Sequence, residues 1–203
     1  MSAQDLSRWD RRYAAETYAF GTEPNDFLVE VAPLIPGGPV LCLAEGEGRN
    51  AVWLAGRGNE VTAVDASAVG IAKAEALART RGVKIATVVT DLADFAIEPD
   101  LWSGIVAIFA HMPPELRRAV HRAAAAGIAP GGVFVLEAFT PEQMGRGTGG
   151  PSQPELLYRL ADLREDLAGL EIIVGREFER EVVEGQYHTG RAAVVQILAR
   201  KAP

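Results

Sequence analysis

The chain has 203 residues, the size of one domain or slightly more, and 48% of them are hydrophobic, ample for a sizeable core. Lys+Arg number 20 against 27 Asp+Glu, a net charge of −7 without a basic block, which argues against nucleic acid as the main partner. A single cysteine, Cys42, allows no internal disulfide, and the sequence has neither a signal-peptide core nor an apolar run of about 18 residues, so a cytoplasmic protein that is neither secreted nor membrane-spanning is expected.

Residues 5–17 have a helical pattern, and Gly21 and Pro24 then mark a turn-rich segment leading into a short helix. Beyond "PGGPV", strand-like apolar runs at 40–44, 60–64, 84–89, 104–110 and 133–138 alternate with helical stretches at 50–55, 68–81, 114–127 and 154–168. That alternation predicts a mostly parallel sheet with helices on both faces. The stretch "TPEQMGRGTGGPSQPE" after the fifth strand is too long and glycine-rich for an ordinary link, and it reads equally as a lid or as plain disorder. At the end, "LEIIVGREFEREVVEG" and "GRAAVVQILARK" are two strand-like runs joined by residues 186–190, an antiparallel hairpin closing one edge. No internal repeat is present.

The segment "LCLAEGEGRN" has the order strand, glycine turn, helix, which usually sets backbone N–H groups and a helix N-terminus against a phosphate. The pattern is Gly46-x-Gly48, with Ala44 before it and Ala51 where a dinucleotide fingerprint has its third glycine. Glu45 and Glu47 weaken the dinucleotide reading further, because two like charges about 4 Å apart repel by roughly 4 kcal/mol at an effective dielectric near 20. S-adenosylmethionine carries a sulfonium and an ammonium against one carboxylate and has no phosphate, so it escapes that penalty.

Through "WDRRY", "GTEPNDFL", "LAEGEGRNAVWLA", "VTAVDAS" and "VVTDLADF", from Trp9 to about Leu198, the chain resembles the class I S-adenosylmethionine-dependent methyltransferases, in particular the small-molecule branch with the tellurite-resistance and thiopurine-type enzymes. The resemblance implies a single domain over 1–203 with an α/β, Rossmann-like fold. Its seven-stranded sheet is mostly parallel, with helices on both faces and an antiparallel C-terminal strand, and residues 1–38 form a helical cap over the cofactor. The family's first motif has an acidic residue in the strand and glycine at three turn positions. Here Cys42 and Ala44 stand at two of those places, and Glu45 is the substitute for the carboxylate.

Asp65, nineteen positions beyond Gly46, ends "EVTAVD" where a strand-tip carboxylate accepts from two ribose hydroxyls, with Ala66 beside it. Capping of the following helix suits Ser67 better. The resemblance puts Asp91 at the adenine amino group and the Leu92 N–H near the ring, although an aspartate after a strand is commonly a turn residue. It also brings Tyr18, Phe20 and Gly21 over the cofactor. Trp9 and Tyr13, four apart on one helix face, are expected to pack against the sheet. Arg12 or Arg49 would pair with the methionine carboxylate, or Arg49 would neutralise Glu45 or Glu47. Ala44, Asn50 and Phe109 complete the expected cofactor set.

On the acceptor side, Met112-Pro113-Pro114-Glu115 lacks the amide and the aromatic of the tetrad found in enzymes that methylate base amino groups, so nucleic-acid methylation is disfavoured; the prolines suit the first turn of a helix. His111, at the end of the fourth strand, is a candidate general base or a hydrogen-bonded packing residue. His188, between the last two strands, is a second candidate, with solvent exposure as the ordinary reading. His121 reads as a surface residue, and three separated histidines with one cysteine make no metal set. The expected activity is methyl transfer to a thiol, metalloid oxyanion, halide, or small amine or hydroxyl, by a monomer or homodimer. The rivals are an NAD(P)-dependent oxidoreductase and a non-catalytic S-adenosylmethionine-binding regulator.

Overall fold

The computed structural model describes residues 3–203. Helices α1 (Ala3–Tyr13) and α2 (Asp26–Val31) precede β1 (Pro39–Leu43), α3 (Arg49–Gly56), β2 (Glu60–Asp65), α4 (Ala68–Thr80) and β3 (Ala86–Val89). They are followed by β4 (Trp102–Ile108), α5 (Pro114–Gly127), β5 (Ile128–Phe139), α6 (Leu160–Asp166), β6 (Glu171–Glu184) and β7 (His188–Arg200). The strands form one seven-stranded sheet in the order β3-β2-β1-β4-β5-β7-β6. Strands β1 to β5 pair in parallel, whereas β7 runs antiparallel between β5 and β6. The chain order reverses between β1 and β4, so a crevice is expected outside their carboxyl ends.

The period of two along each strand divides the core between the sheet's faces. Leu41, Leu43, Ile105, Phe134, Leu136 and Ile197 pack on one side with Val120 and Ala124 of α5 and Leu163 of α6. Val40, Cys42, Val106, Val133, Val135 and Leu198 pack on the other with Phe27 and Leu28 of α2 and Ala51 and Leu54 of α3. Each fully buried large side chain contributes roughly 1.5–3 kcal/mol relative to exposure. Ser67 caps α4 by accepting from the Gly70 N–H at 3.0 Å, as its position predicts. Among the described residues no helix is long and apolar enough to cross a membrane.

Two elements differ from the sequence reading. The helix expected over 154–168 splits into a 3₁₀ turn at Pro154–Leu156 and the shorter α6. Tyr158, between them, is fully buried; its N–H donates to Phe139 O at 3.0 Å and its hydroxyl donates to Ala110 O at 2.7 Å. Those tertiary bonds outweigh helix propensity. The stretch 140–155 is tied down by Gln143, which donates to Thr148 Oγ1 at 2.9 Å and Gly149 O at 3.0 Å and accepts from the Ala193 N–H at 2.9 Å.

Candidate active site

The glycine turn leaves β1 through Ala44, Gly46 and Gly48, all at positive φ (50°, 62° and 89°). For Ala44 that conformation costs about 1–3 kcal/mol and is held by its surroundings. A Cβ on Gly48 would lie 2.5 Å from Ala74 Cβ, so only glycine lets the turn close on α4. Glu45 donates its N–H to Val64 O at 3.1 Å, and its Oε1 accepts from the N–H groups of Asn50 at 3.0 Å and Ala51 at 2.8 Å. The carboxylate thus fills the N-terminus of α3, where Gly48 offers no side-chain cap. Burial pushes Glu45 up to about 7 against the pull of those two N–H groups and of Arg49. The thiol of Cys42 beneath is pushed up by burial and by Glu45 itself. A carboxylate therefore stands in the crook of strand and helix, supplied from the turn rather than from the strand.

Glu47 turns the other way. Its Oε2 accepts from the Ala19 N–H at 2.7 Å and its Oε1 meets Lys73 Nζ at 2.5 Å, while Lys73 also donates to Ala15 O at 2.9 Å and Thr17 O at 2.8 Å. The two glutamates have separate tasks, one capping a helix and one clasping the segment 15–19 across the crevice. On its far side this segment meets the β6–β7 hairpin, whose Gln186 N–H donates to Ala19 O at 3.0 Å.

Asp65 ends β2 with Oδ2 accepting from the Gly46 N–H at 2.9 Å and Oδ1 from the Ser67 N–H at 2.8 Å; burial raises its pKa against these bonds. Each oxygen keeps a lone pair for a further donor. Ala66 follows directly, half-buried. Tyr13 is buried over the turn, its hydroxyl 2.7 Å from where a Cβ on Gly46 would stand and its ring against Gly70. Trp9, half-buried, stacks on it with centroids 5.6 Å apart, so the pair packs over the glycine turn and α4 rather than against the sheet as expected. Asp91, past β3, makes a local turn by accepting from the Ala93 N–H at 3.0 Å, with Leu92 half-buried beside it. Tyr18 packs against α3 and α4. Its hydroxyl donates to Lys73 O at 3.2 Å and its ring packs with Val52, Leu77 and Ala78 of α3 and α4.

At the carboxyl ends of β4 and β5 is a closely packed aromatic cluster. The ring of His188 lies 4.5 Å from Phe20, 4.6 Å from Phe109 and 5.1 Å from Phe139, centroid to centroid. Phe109 leaves β4 at φ 53°, its N–H donating to Glu137 O at 2.7 Å, a second strained residue at the strand ends. Gly149, at φ 117°, lies against the cluster, where a Cβ would come within 2.7 Å of His188 Cδ2. Arg12 stacks over Tyr187 at 4.5 Å and Trp9 at 5.0 Å. Gly21 follows Phe20 with its N–H donating to Tyr18 O at 3.2 Å.

His188 is not the exposed loop residue its position suggests. It is the first residue of β7 and 8% exposed, because the hairpin pairs Glu184 with His188 and so continues to its tip. Burial lowers its pKa, with Arg49 and Arg12 adding to that and Glu184 opposing. His111 has both ring nitrogens engaged by the backbone: Nδ1 donates to Leu156 O at 2.7 Å and Nε2 accepts from the Phe139 N–H at 3.3 Å. Burial lowers it to about 4, the Leu156 bond opposing and His188 adding. The ring is neutral and joins β5 to the 3₁₀ turn, with no lone pair left over for a proton. His121 is fully buried instead of surface-exposed, its Nδ1 3.1 Å from Asp166 Oδ2, because Arg117, Val120, His121 and Ala124 form the inner face of α5.

A buried polar network underlies this cluster. Glu184 Oε2 meets Arg49 Nη2 at 2.6 Å and His188 Nδ1 at 3.6 Å, and Oε1 accepts from Asn25 Nδ2 at 2.8 Å and Arg180 Nη2 at 3.2 Å. Glu137 Oε1 pairs with Arg180 at 2.6 Å and its Oε2 accepts from Gln196 Nε2 at 2.7 Å. Although burial opposes it, His188 and Arg49 hold Glu184 at about 2. Arg49, expected to meet Glu45, Glu47 or a ligand, spends Nη2 on Glu184, while its buried Nη1 has no hydrogen-bond partner. Asn50 accepts from the Asn25 N–H at 3.0 Å, linking α3 to α2. Sequence reasoning missed Glu184, Phe139 and Asn25. Only the hairpin register, which sets Glu184 opposite His188, carries a signal for the first.

Two carboxylates, Glu45 and Asp65, line the crevice, and the helix N-terminus a phosphate would need is already filled by one of them. Such a site fits a ligand of net positive charge without phosphate, and it disfavours NAD(P). Among the described residues no group of three or more His, Cys, Asp or Glu could hold a metal ion.

Comparison with known proteins agrees. Residues 40–132 match a family model described as a methyltransferase domain. A structure from work on the conversion of a disulfide bond into a thioacetal group during echinomycin biosynthesis is 21% identical, with TM-score 0.76, covering 98% of this chain and 92% of that one. TehB from Haemophilus influenzae is 19% identical, TM-score 0.73, over 97% of this chain and 66% of that one. Magnesium protoporphyrin IX methyltransferase from Synechocystis PCC 6803, solved with bound S-adenosylhomocysteine, is 18% identical, TM-score 0.64, over 98% and 83%. No curated protein matches the sequence. With a methyltransferase domain model matched over residues 40–132 and the fold of these structures over nearly its whole length, the chain is similar to the class I S-adenosylmethionine-dependent methyltransferases.

Proposed function

We propose that this protein methylates a small molecule with a soft nucleophilic atom, a thiol or a metalloid oxyanion, held at the aromatic cluster of Phe20, Phe109, Phe139 and His188. The observation that carries this reading is the cluster itself. Its walls are aromatic rings set close around His188, with Phe109 and Phe139 at the carboxyl ends of β4 and β5 and Gly149 against His188, a lining suited to a small, polarisable acceptor. The net charge of −7 also disfavours a nucleic-acid acceptor. S-adenosylmethionine supplies an electrophilic methyl group, so the protein has to orient the acceptor, exclude water and balance charge.

In this reading Ala44, Glu45, Gly46, Gly48 and Asn50 form the floor under the cofactor, Asp65 with Ala66 takes the ribose, and Asp91 with Leu92 takes the adenine. Phe20 and Gly21 cover it, and Arg49 Nη1 takes its carboxylate. Phe109 divides the cofactor from the acceptor, His188 faces the acceptor, and His111 holds the cluster wall. The test is S-adenosylhomocysteine production with 2-mercaptoethanol, iodide, tellurite and a small amine in parallel. Turnover on the thiol or tellurite that falls at least tenfold in Phe139→Ala supports the reading. Turnover on a protein or nucleic acid alone would overturn it.

A further inference from the structure

We infer that Glu184 is a positioning residue for methyl transfer: it fixes the tautomer of His188, with Nδ1–H directed at the carboxylate and Nε2 left to accept a proton inside the aromatic cluster. The inference rests on the reading that the acceptor binds there. Nδ1 of His188 is buried and lacks a hydrogen-bond partner, and the nearest acceptor is Glu184 Oε2 at 3.6 Å, just beyond hydrogen-bond reach. A small inward movement of the hairpin tip would complete an acid–base dyad, and in the absence of bound reactants such bonds are commonly long. Register makes the pair: Glu184 ends β6, His188 begins β7, and the two residues are opposite each other.

The carboxylate is itself held rigidly. Arg49 from the cofactor turn, Arg180 and Asn25 each contact it, so the orientation of His188 is tied to the helix that begins at the glycine turn. The groups facing the imidazole are Glu184 from β6, Arg49 from α3, Arg12 from α1 and His111 from the end of β4. Only Glu184 among them favours the imidazolium. His111 has both nitrogens occupied, which leaves His188 as the histidine able to take a proton. The step balances: Nε2 takes the acceptor's proton, the lone pair so released forms the bond to the methyl carbon, and the carbon–sulfur pair stays with sulfur. The positive charge lost at the sulfonium reappears on the imidazolium beside Glu184.

The first test is nitrogen-15 NMR of the histidines in the whole protein with S-adenosylhomocysteine. The neutral His188 is expected as the Nδ1–H tautomer, and Glu184→Gln is expected to lower its titration midpoint by about one pH unit or more. An Nε2–H tautomer, or an unmoved midpoint, would overturn the inference; the tautomer is read on the unsubstituted protein, so the test stands even if the variant does not fold. The second test compares 2-mercaptoethanol, which carries a proton, with iodide, which carries none. His188→Gln and Glu184→Gln should each lower the thiol rate by about 10²–10⁴ and the iodide rate by a factor at least tenfold smaller. Equal losses on both acceptors would mean that Glu184 only maintains structure. Wild-type turnover on neither would count against the proposed function, while the tautomer result would still decide the role of Glu184.

Discussion

Replacing Glu45 by Gln tests the capping role and the charge of the turn together. The amide keeps the size of the side chain and an oxygen for the N–H groups of Asn50 and Ala51, which Glu45 engages at 3.0 and 2.8 Å, but it cannot ionise. In the folded protein burial lifts this carboxyl from 4.5 to about 7, so the folded state prefers the protonated form. The stability linked to that preference is fully present below pH 4.5 and is lost as pH rises through about 7. At about 1.4 kcal/mol per pH unit the loss is about 3.4 kcal/mol, and solvent screening of a half-buried group reduces it to about 1–3 kcal/mol. For a domain of this size that is a melting-temperature difference of roughly 3–10 °C. Thermal unfolding of both proteins from pH 5 to 8.5 is the assay. The Gln variant should gain on the wild type as pH rises, and melting curves that stay parallel over the whole range would refute the reasoning.

Arg49→Ala leaves Glu184 short of its 2.6 Å partner in a buried setting, and urea unfolding should show a loss of about 3–5 kcal/mol. Tyr158→Phe strands the Met112 N–H and Ala110 carbonyl, each 2.7 Å from the hydroxyl, and should cost about 1–3 kcal/mol by the same measurement. Gly48→Ala sets a methyl group 2.5 Å from Ala74 Cβ at φ 89°, and should lower both melting temperature and cofactor affinity, the latter read by calorimetry. Asp65→Ala frees the Gly46 N–H and removes the proposed ribose acceptor. Titration with S-adenosylmethionine should show at least a tenfold weaker complex, and unchanged affinity would count against the proposed cofactor site.

The strand–helix alternation was legible because apolar period and glycine punctuation are local properties. All seven strands overlap the expected runs, with β5 beginning earlier, at Ile128, and β7 at His188 inside the expected loop, and the reversed β7 follows from a short hairpin loop. The break at Tyr158 was hidden because its cause is a hydroxyl bond to Ala110, 48 residues away in sequence. His121 read as a surface residue because its neighbours Arg118 and Arg122 are exposed, while the buried Arg117 and Asp166 that accompany it look equally hydrophilic in sequence. The glycine turn, Asp65 and His188 were visible as motifs or as unusual residues at strand ends. Glu184 and Phe139 were not, because their significance comes from pairing across the sheet rather than from neighbours in the chain.

The carboxylate at the start of α3 also bears on what the protein ignores. Adenine nucleotides all offer phosphates to an unfilled helix N-terminus. Here Glu45 already occupies the Asn50 and Ala51 N–H groups, so an incoming phosphate would have to displace a covalently tethered rival. Discrimination against ATP and NAD is thereby present before any ligand arrives, in the same bond that holds the turn together.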